Sequence, residues 1–135
     1  MSPSRRAERR GAAFLLYQKD LTGGDFASLF DAYERDNGEH VTEFVRAQAE
    51  GAWADRERLD RSIDAAADEW SAERMAVLER NILRLAVWEM GRGEVPVAVA
   101  IDEAVSLAKR YASPEAATLV NGVLGKIARD QGVGR

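Results

Sequence analysis

The chain has 135 residues, no cysteine and a formal net charge of −4. A chain of this length is the size of one domain, and the lack of cysteine excludes disulfides and thiolate metal sites. The apolar runs are far shorter than the roughly 18 residues that a membrane span needs, and no signal-peptide pattern occurs. We therefore expect one cytoplasmic domain that binds neither a membrane nor a metal.

The first part of the chain predicts two helices joined by a glycine turn. Residues 4–21 form one helical pattern, which should end at Gly23 because glycine commonly terminates a helix. Asp25 has a side chain suited to capping the start of the next helix. That second helix is expected to end at Asn37-Gly38, a common helix stop.

A long helical pattern follows over residues 41–70, where apolar residues recur at helical spacing. Gly51 lies within this pattern and could bend or break the helix, because glycine weakens helix interiors. The stretch could therefore be one helix or two. Gly51 is also the predicted boundary between two packed helical subdomains, residues 1–51 and 52–135.

The C-terminal part of the chain predicts three further helices. The first ends near Gly93, and Pro96 then forces an extended step before the second. The third starts at Ser113, which can cap it, followed by Pro114 and Glu115, which suit the first turn. No segment predicts a strand. The predicted fold is therefore all-α, a compact bundle of about seven helices.

Four arginines stand at the front of the first helix: Arg5, Arg6, Arg9 and Arg10. At about 100° per residue they span an arc of roughly 140°, which predicts a cationic stripe on one side of the first turns. The apolar residues 11–17 predict that a packed core holds this stripe in place. Such a basic end on an otherwise acidic chain suits the phosphate backbone of a nucleic acid.

Several short motifs of the chain together resemble those of one family. They are Leu16-Tyr17-Gln18, Ile82-Leu83-Arg84-Leu85-Ala86, Val95-Pro96, Ile101-Asp102-Glu103-Ala104-Val105, Leu107-Ala108-Lys109 and Val120-Asn121-Gly122-Val123-Leu124. In this order and spacing, after an arginine-rich start, they resemble the NusB family of bacterial transcription antitermination factors. The series covers nearly the whole chain.

The resemblance implies an all-helical fold of two subdomains, with no enzymatic activity and no cofactor. It implies binding of the boxA element in nascent ribosomal RNA leader transcripts. It also implies a protein partner, NusE, which is a ribosomal small-subunit protein. The pair would load RNA onto an elongating RNA polymerase complex and so suppress premature termination. Some members of the family are monomers and others homodimers, so the oligomeric state stays open.

The residues and the resemblance together predict two sets of contacts. The predicted RNA-binding residues are Arg5, Arg6, Arg9, Arg10, Lys109, Tyr111, Glu115 and Asn121. The predicted protein-partner residues are Tyr17, Glu79, Arg80 and Arg84. Phosphate contacts position an RNA, whereas its bases are recognised by stacking and edge contacts, for which Tyr111 is the candidate. Glu115 would repel a phosphate at the start of the last helix and so hold the RNA affinity down.

Structural alternatives exist for each set. The charged residues could form a solvated, salt-bridged surface, while Tyr111 and Asn121 could be structural. Gly122 is expected to permit close helix packing. The three tryptophans are expected in the core or at the seam between the subdomains: Trp53, Trp70 and Trp88.

Two departures from the family pattern bear on RNA binding. Glu8 stands where the family usually has a small residue, and it could pair with a neighbouring arginine and weaken the local field. Leu119 replaces a frequent phenylalanine, so base stacking is expected from another residue. His40 is the only histidine, and it is not expected to be catalytic or to bind a metal because it has no second histidine or cysteine to act with.

Two functions from different classes follow. The first is a non-enzymatic RNA-binding antitermination factor, in which the arginines supply the electrostatic contact with RNA. The second is a protein-interaction scaffold or homodimer without direct RNA binding. In it the acidic body binds a basic partner, and the arginines are either incidental or buried in a homodimer seam.

Overall fold

The computed structural model describes residues 3–68 and 72–131. These residues form seven α-helices and one short 3-10 helix, and no strand occurs among them, which confirms the all-α prediction. The α-helices are α1 (Arg5–Thr22), α2 (Phe26–Asn37), α3 (Glu43–Ala54), α4 (Arg56–Ala66), α5 (Val77–Arg92), α6 (Val97–Tyr111) and α7 (Pro114–Asp130). The 3-10 helix, Ala72–Arg74, precedes α5. None of the described helices is long and apolar enough to cross a membrane.

Side-chain caps fix the start of four helices. Asp25 accepts a hydrogen bond from the Ser28 backbone N–H, which confirms the predicted start of α2. Ser4, Thr42 and Ser113 cap α1, α3 and α7 in the same way. Each oxygen satisfies one of the backbone donors that a helix start leaves without a partner.

Glycines in the left-handed backbone conformation end α1, α2 and α5. Gly23, Gly38 and Gly93 have φ values of 74°, 66° and 69°, a region that side chains with a Cβ atom rarely adopt. All three stops occur where the sequence predicts them.

The stretch around Gly51 forms two helices, one of the two alternatives, but they divide at Asp55 and not at Gly51, through which α3 continues. Gly51 serves packing: a Cβ atom there would lie 2.3 Å from Cζ2 of Trp88. Glycine is needed at this position so that α3 can approach the indole of α5. The division into two subdomains at residue 51 remains a prediction.

The expectation that Gly122 permits close helix packing is wrong. Gly122 is exposed on α7, and a Cβ atom there would meet nothing within 4 Å. Its neighbours Val123 and Leu124 are buried instead. The close approach predicted for Gly122 is therefore made by other residues of α7.

Helix α5 is the centre of the bundle. It packs against α1, α3, α4, α6 and α7, while α2 packs against α1. Its apolar residues Ile82, Leu83 and Leu85 are buried, and Asn81 lies beside them with no exposed surface. Burying apolar surface on all sides of one helix is the main favourable contribution to folding here. The packing also gives α1 a rigid support.

Candidate nucleic-acid interface

The arginine-rich segment is an ordered helix, as predicted. The Ser4 hydroxyl accepts a hydrogen bond from the Ala7 backbone N–H at 3.1 Å, so α1 begins at Arg5. Ala12, Ala13 and the two leucines that follow are buried, which attaches α1 to the core. The arginines thus stand on a fixed scaffold.

Three of the four arginines are accessible to solvent. The side chains of Arg5 and Arg6 are 62% and 68% exposed. Arg10 is half-buried, and it forms no ion pair within residues 3–68 and 72–131. Arg6 donates two hydrogen bonds, both 3.2 Å, to the carboxylate of Glu103 on α6. This exposed pair is screened by water, so it can exchange its carboxylate for a phosphate at little cost.

The fourth arginine departs from the prediction, because Arg9 is not displayed. Its side chain and that of Glu89 on α5 are each 9% exposed, and their closest atoms are 2.6 Å apart. The hydrogen bonds from Arg9 to Glu89 outweigh the cost of its burial and raise the pKa of the guanidinium above its usual value. Arg9 shares a helix face with Ala12, Ala13 and Leu16, which explains why it points into the protein.

Glu8 pairs with an arginine, as its position suggested. Its carboxylate accepts a hydrogen bond from Arg5 at 2.8 Å and a second one from the Thr42 hydroxyl. The guanidinium of Arg5 lies 4.0 Å from the ring centre of Phe44 on α3. Because Glu8 is buried, its negative charge lies behind the exposed arginines and reduces the local positive field.

Helix α6 runs beside the arginine helix in the same direction. Arg6 contacts Glu103, and Phe14 contacts Tyr111 with ring centres 5.2 Å apart and edge to face. Phe14 lies eight positions after Arg6 on α1, and Tyr111 lies eight positions after Glu103 on α6. Eight positions correspond to about 12 Å of helix at roughly 1.5 Å per residue. The two helices therefore present one joint surface, which we call the α1–α6 face: Arg6, Arg10 and Phe14 with Lys109 and Tyr111.

The end of α6 adds positive charge to this face. Lys109 is exposed, and Tyr111 is half-buried with its ring against Phe14. Arg110 is also exposed, and its guanidinium lies 5.5 Å from the Tyr111 ring centre. The sequence prediction omitted Arg110 and Phe14, although the pairing of Lys109 with Arg110 at a helix end was visible.

The start of α7 is built as predicted but lies at a separate groove. Ser113 accepts a hydrogen bond from the Ala116 backbone N–H at 2.9 Å. Glu115 is exposed and lines a groove of about 400 Å³ together with Arg74, Glu79 and Leu119. Thus one predicted RNA contact, Glu115, and one predicted partner contact, Glu79, share a surface.

Asn121 also lies on α7, where it is exposed and forms an interaction within the protein. Its neighbour Val120 is fully buried, so this stretch of α7 turns one side to the core and the other to solvent. The residue is therefore placed on the surface, and its predicted contact with RNA stays a prediction.

The predicted partner residues do not form one surface. Tyr17 is half-buried in a groove of about 360 Å³ between α1 and α2, which Arg10, Phe14 and Tyr33 also line. Burial raises the pKa of the Tyr33 hydroxyl in this groove. Glu79 lies instead in the groove beside α7.

Arg84 and Arg80 lie in an internal charge network, so the solvated face considered for them is wrong. Arg84 is 6% exposed; it donates two hydrogen bonds of 2.7 Å to Asp60 on α4 and one of 2.9 Å to Asp20 on α1. Arg80 and Asn81 bind the same oxygen of Asp20 at 2.9 and 3.0 Å. The network joins three helices, because its carboxylates come from α1 and α4.

The pKa values of this network follow from its contacts. Burial alone would raise the pKa of Asp20, but hydrogen bonds from Asn81 and Arg80 and the charge of Arg84 hold it below its usual value. Burial would lower the pKa of Arg84, yet the two carboxylates raise it above its usual value. Both groups are therefore stabilised in their charged forms.

His40 lies at the surface of the protein. His40 is 83% exposed, and its Nδ1 lies 2.7 Å from the Glu34 carboxylate. No cluster suited to a metal ion occurs among the described residues. Trp53 and Trp88 are partly buried against the core, as expected, while Trp70 lies outside the described residues.

Comparison with known proteins tests the resemblance directly. The NusB family model matches residues 6–129. The chain is 41% identical to the transcription antitermination protein NusB of Heliobacterium modesticaldum, over 94% of this chain and 63% of that protein. It therefore spans less than two thirds of that relative. It is 40% identical to NusB of Anaeromyxobacter sp. strain Fw109-5, over 95% of this chain and 92% of that protein.

The fold comparison agrees with the sequence comparison. A crystal structure of antitermination factors NusB and NusE in complex with dsRNA superposes with a TM-score of 0.82 at 28% identity. The superposition covers 93% of this chain and 96% of the matched chain. Family model, relatives and fold thus confirm the resemblance seen in the motifs, and this chain belongs to the NusB family.

Proposed function

We propose that this chain is a non-enzymatic, RNA-binding transcription antitermination factor of the cytoplasm. The observation that carries the proposal is the α1–α6 face, where exposed cations and an aromatic pair lie on one rigid surface. Positive charge along the backbone and aromatic rings for the bases are the two elements that single-stranded nucleic acid binding combines. The relationship to NusB proteins supports the same conclusion.

The RNA proposed is the boxA element of ribosomal RNA leader transcripts. Arg5, Arg6, Arg10 and Lys109 would contact its phosphates, which positions the strand without recognising its sequence. Tyr111 would contact a base, because its ring stands at the end of the positively charged strip. The rings of Phe14 and Tyr111 already contact each other, so this aromatic surface is formed before RNA arrives.

The protein partner proposed is NusE, with which the chain would join an RNA polymerase antitermination complex. A matched solved structure contains NusB together with NusE and dsRNA, which supports this pairing. Tyr17 and Glu79 are the proposed contacts, since each lines an open groove. Arg80 and Arg84 would act indirectly, because they are committed to Asp20 and Asp60.

A fluorescence anisotropy titration tests the proposal. A boxA RNA oligonucleotide and a scrambled one are titrated with the protein, with and without NusE. We expect tighter binding of boxA, a further gain with NusE, and roughly tenfold weaker binding by Arg10→Ala, about 1.4 kcal/mol. The matched control is Arg61→Ala, which removes an exposed arginine from α4. Equal affinity for both RNAs, or equal losses in the two variants, would contradict the proposal.

The second candidate is a protein scaffold or homodimer that does not bind RNA. It is favoured by the pairing of Arg6 and Arg9 with carboxylates of the same chain, which leaves fewer free cations. Light scattering on the same samples separates the two. A dimer lost in Arg10→Ala, with no RNA bound by the unmodified protein, would support the scaffold.

A further inference from the structure

Arg9 differs from its three neighbours in the way its charge is used. Its Nε donates a hydrogen bond to Oε1 of Glu89 at 3.0 Å, and its Nη2 donates one to Oε2 of the same carboxylate at 2.6 Å. On its other side the ring centre of Phe44 is 5.7 Å away. The two guanidinium nitrogens that face Glu89, Nε and Nη2, are therefore already hydrogen-bonded within the protein.

The space that Arg9 itself lines is too small for a phosphate. Glu89 borders a groove of about 170 Å³ together with Arg5 and Phe44, but Arg9 is not among the residues that line this groove. Arg9 lines a cavity of about 20 Å³ with Gln48 and Leu85. A space of that size holds about one water molecule. Contact between Arg9 and RNA would require its guanidinium to leave Glu89 and turn outward.

The pair also joins α1, which carries the arginines, to the central helix α5. Arg9 is the residue before Arg10 on α1, and Glu89 is buried on α5. A bidentate pair fixes direction as well as distance, because the planar guanidinium fork meets both oxygens at once. Rotating α1 by one residue, about 100°, would move Arg10 off the exposed face.

We propose that Arg9 makes no contact with RNA and instead forms, with Glu89, a positioning pair that sets the rotation of α1 and so aims Arg5, Arg6 and Arg10 outward. The inference rests on the proposed function, since it says which arginines make up the RNA footprint. It assigns three arginines of α1 to that footprint in place of four.

The salt dependence of RNA binding distinguishes a contact from a positioning residue. Each phosphate neutralised on single-stranded RNA adds about 0.7 to the slope of log Kobs against log salt. The boxA titration is therefore repeated at several salt concentrations with Arg9→Gln, Glu89→Gln and the apolar double variant Arg9→Met/Glu89→Leu. Arg10→Ala is the reference for a lost contact, and Glu94→Gln, which alters an exposed carboxylate of the same region, is the control.

We expect the two single variants to bind boxA several-fold more weakly with an unchanged salt slope, because each leaves one buried partner without its counterpart. The apolar double variant removes both charges and packs in their place, so it should recover affinity to within about twofold at the original slope. Arg10→Ala should lower the slope by about 0.7. All titrations are run at a temperature where circular dichroism shows each variant to be folded.

Three results would overturn the inference. Tighter binding with a steeper slope in Glu89→Gln would mean that Arg9, once released, binds RNA. A slope lowered by about 0.7 in the apolar double variant would mean that Arg9 contacts a phosphate in the unmodified protein. Unchanged affinity in every folded variant would mean that the pair only stabilises the fold.

Hydrogen exchange separates this inference from the proposed function. If the unmodified protein binds no boxA RNA, the proposed function fails, yet the pair can still be tested on the protein alone. Glu89→Gln should speed amide exchange in the first turns of α1, whereas Glu94→Gln should not. Equal exchange in the two variants would overturn the positioning role.

Discussion

Arginines lie at both ends of α1, but they are exposed at one end and buried in ion pairs at the other. At the N-terminal end, Arg5 and Arg6 are mostly exposed and Arg10 forms no ion pair among the described residues. At the C-terminal end of α1, Arg84 of the neighbouring helix α5 is almost fully buried, and it binds the carboxylates of Asp20 on α1 and Asp60 on α4. Whether the fold buries a guanidinium together with its carboxylate partners therefore decides whether it holds helices together or faces a ligand.

Arg9 shows that the difference operates within a single helical turn. It stands next to Arg10 in sequence, yet its charge is used as that of Arg84 is, inside the protein. A buried pair is costly to break, because the partner left behind keeps its charge away from water. An exposed pair is cheap to break, because water replaces the lost contact.

The largest effect is expected at the C-terminal end of α1. Arg84→Ala should lower the free energy of unfolding by about 3–5 kcal/mol, since Asp20 and Asp60 lose their main counter-charge. Urea denaturation measures the change. Arg61→Ala, an exposed arginine on α4, should stay within about 0.5 kcal/mol of the unmodified protein. A loss below about 1 kcal/mol in Arg84→Ala would contradict the structural role of the network.

The same network should make the fold sensitive to acid. The pKa of Asp20 is lowered in the folded protein, so its stabilising contribution is present above the usual value of 3.8 and is lost as pH falls through the folded pKa. Denaturation series between pH 7 and pH 2 should show stability declining below about pH 4. Asp20→Asn should be less stable at pH 7 and show a shallower decline in acid. A parallel decline in both proteins would assign the acid sensitivity elsewhere.

At the N-terminal end the expected effects are smaller and concern binding. Glu103→Gln removes the carboxylate that competes for Arg6, so boxA binding should tighten by about 0.5–1 kcal/mol, the upper part of the range for an exposed ion pair. Anisotropy titration measures it, with Glu94→Gln as the control for the same change of charge at the Arg92 pair. Equal tightening in both variants would show a general charge effect and not a local one.

The smallest effect is expected at the start of α7. Glu115→Gln removes a negative charge beside the exposed backbone donors of the helix, so boxA binding should tighten by about 0.3–1 kcal/mol. The measurement is the same titration in the absence of NusE. Weaker or unchanged binding would mean that Glu115 is only a favourable residue for a helix start.

Local signals in the sequence were sufficient for the helix ends. Ser113 and Pro114 begin α7, and Gly38 ends α2, because capping and the left-handed conformation depend on neighbouring residues alone. Gly51 lacks such a local cause. Its partner is Trp88 on another helix, so only the packed structure explains it.

The candidate site was likewise predictable from local sequence signals but not in its tertiary contacts. The arginine cluster and the basic end of α6 are visible in the sequence, whereas their contact through Phe14 and Tyr111 is tertiary. The exception at Arg9 depends on Glu89, which is remote in the chain and meets it only after α5 packs on α1. Helical spacing gives the arc of the arginines but does not say which part of that arc the core covers.

The central claim is that arginines on the α1–α6 face neutralise RNA phosphates, and salt titration of boxA binding tests it most directly. Compared with the unmodified protein, Arg6→Ala/Arg10→Ala should reduce the slope of log Kobs against log salt by about 1.4, two phosphates at about 0.7 each. Its free energy of unfolding should change little, because neither side chain is buried in an ion pair. An unchanged slope and affinity in this folded double variant would contradict the account.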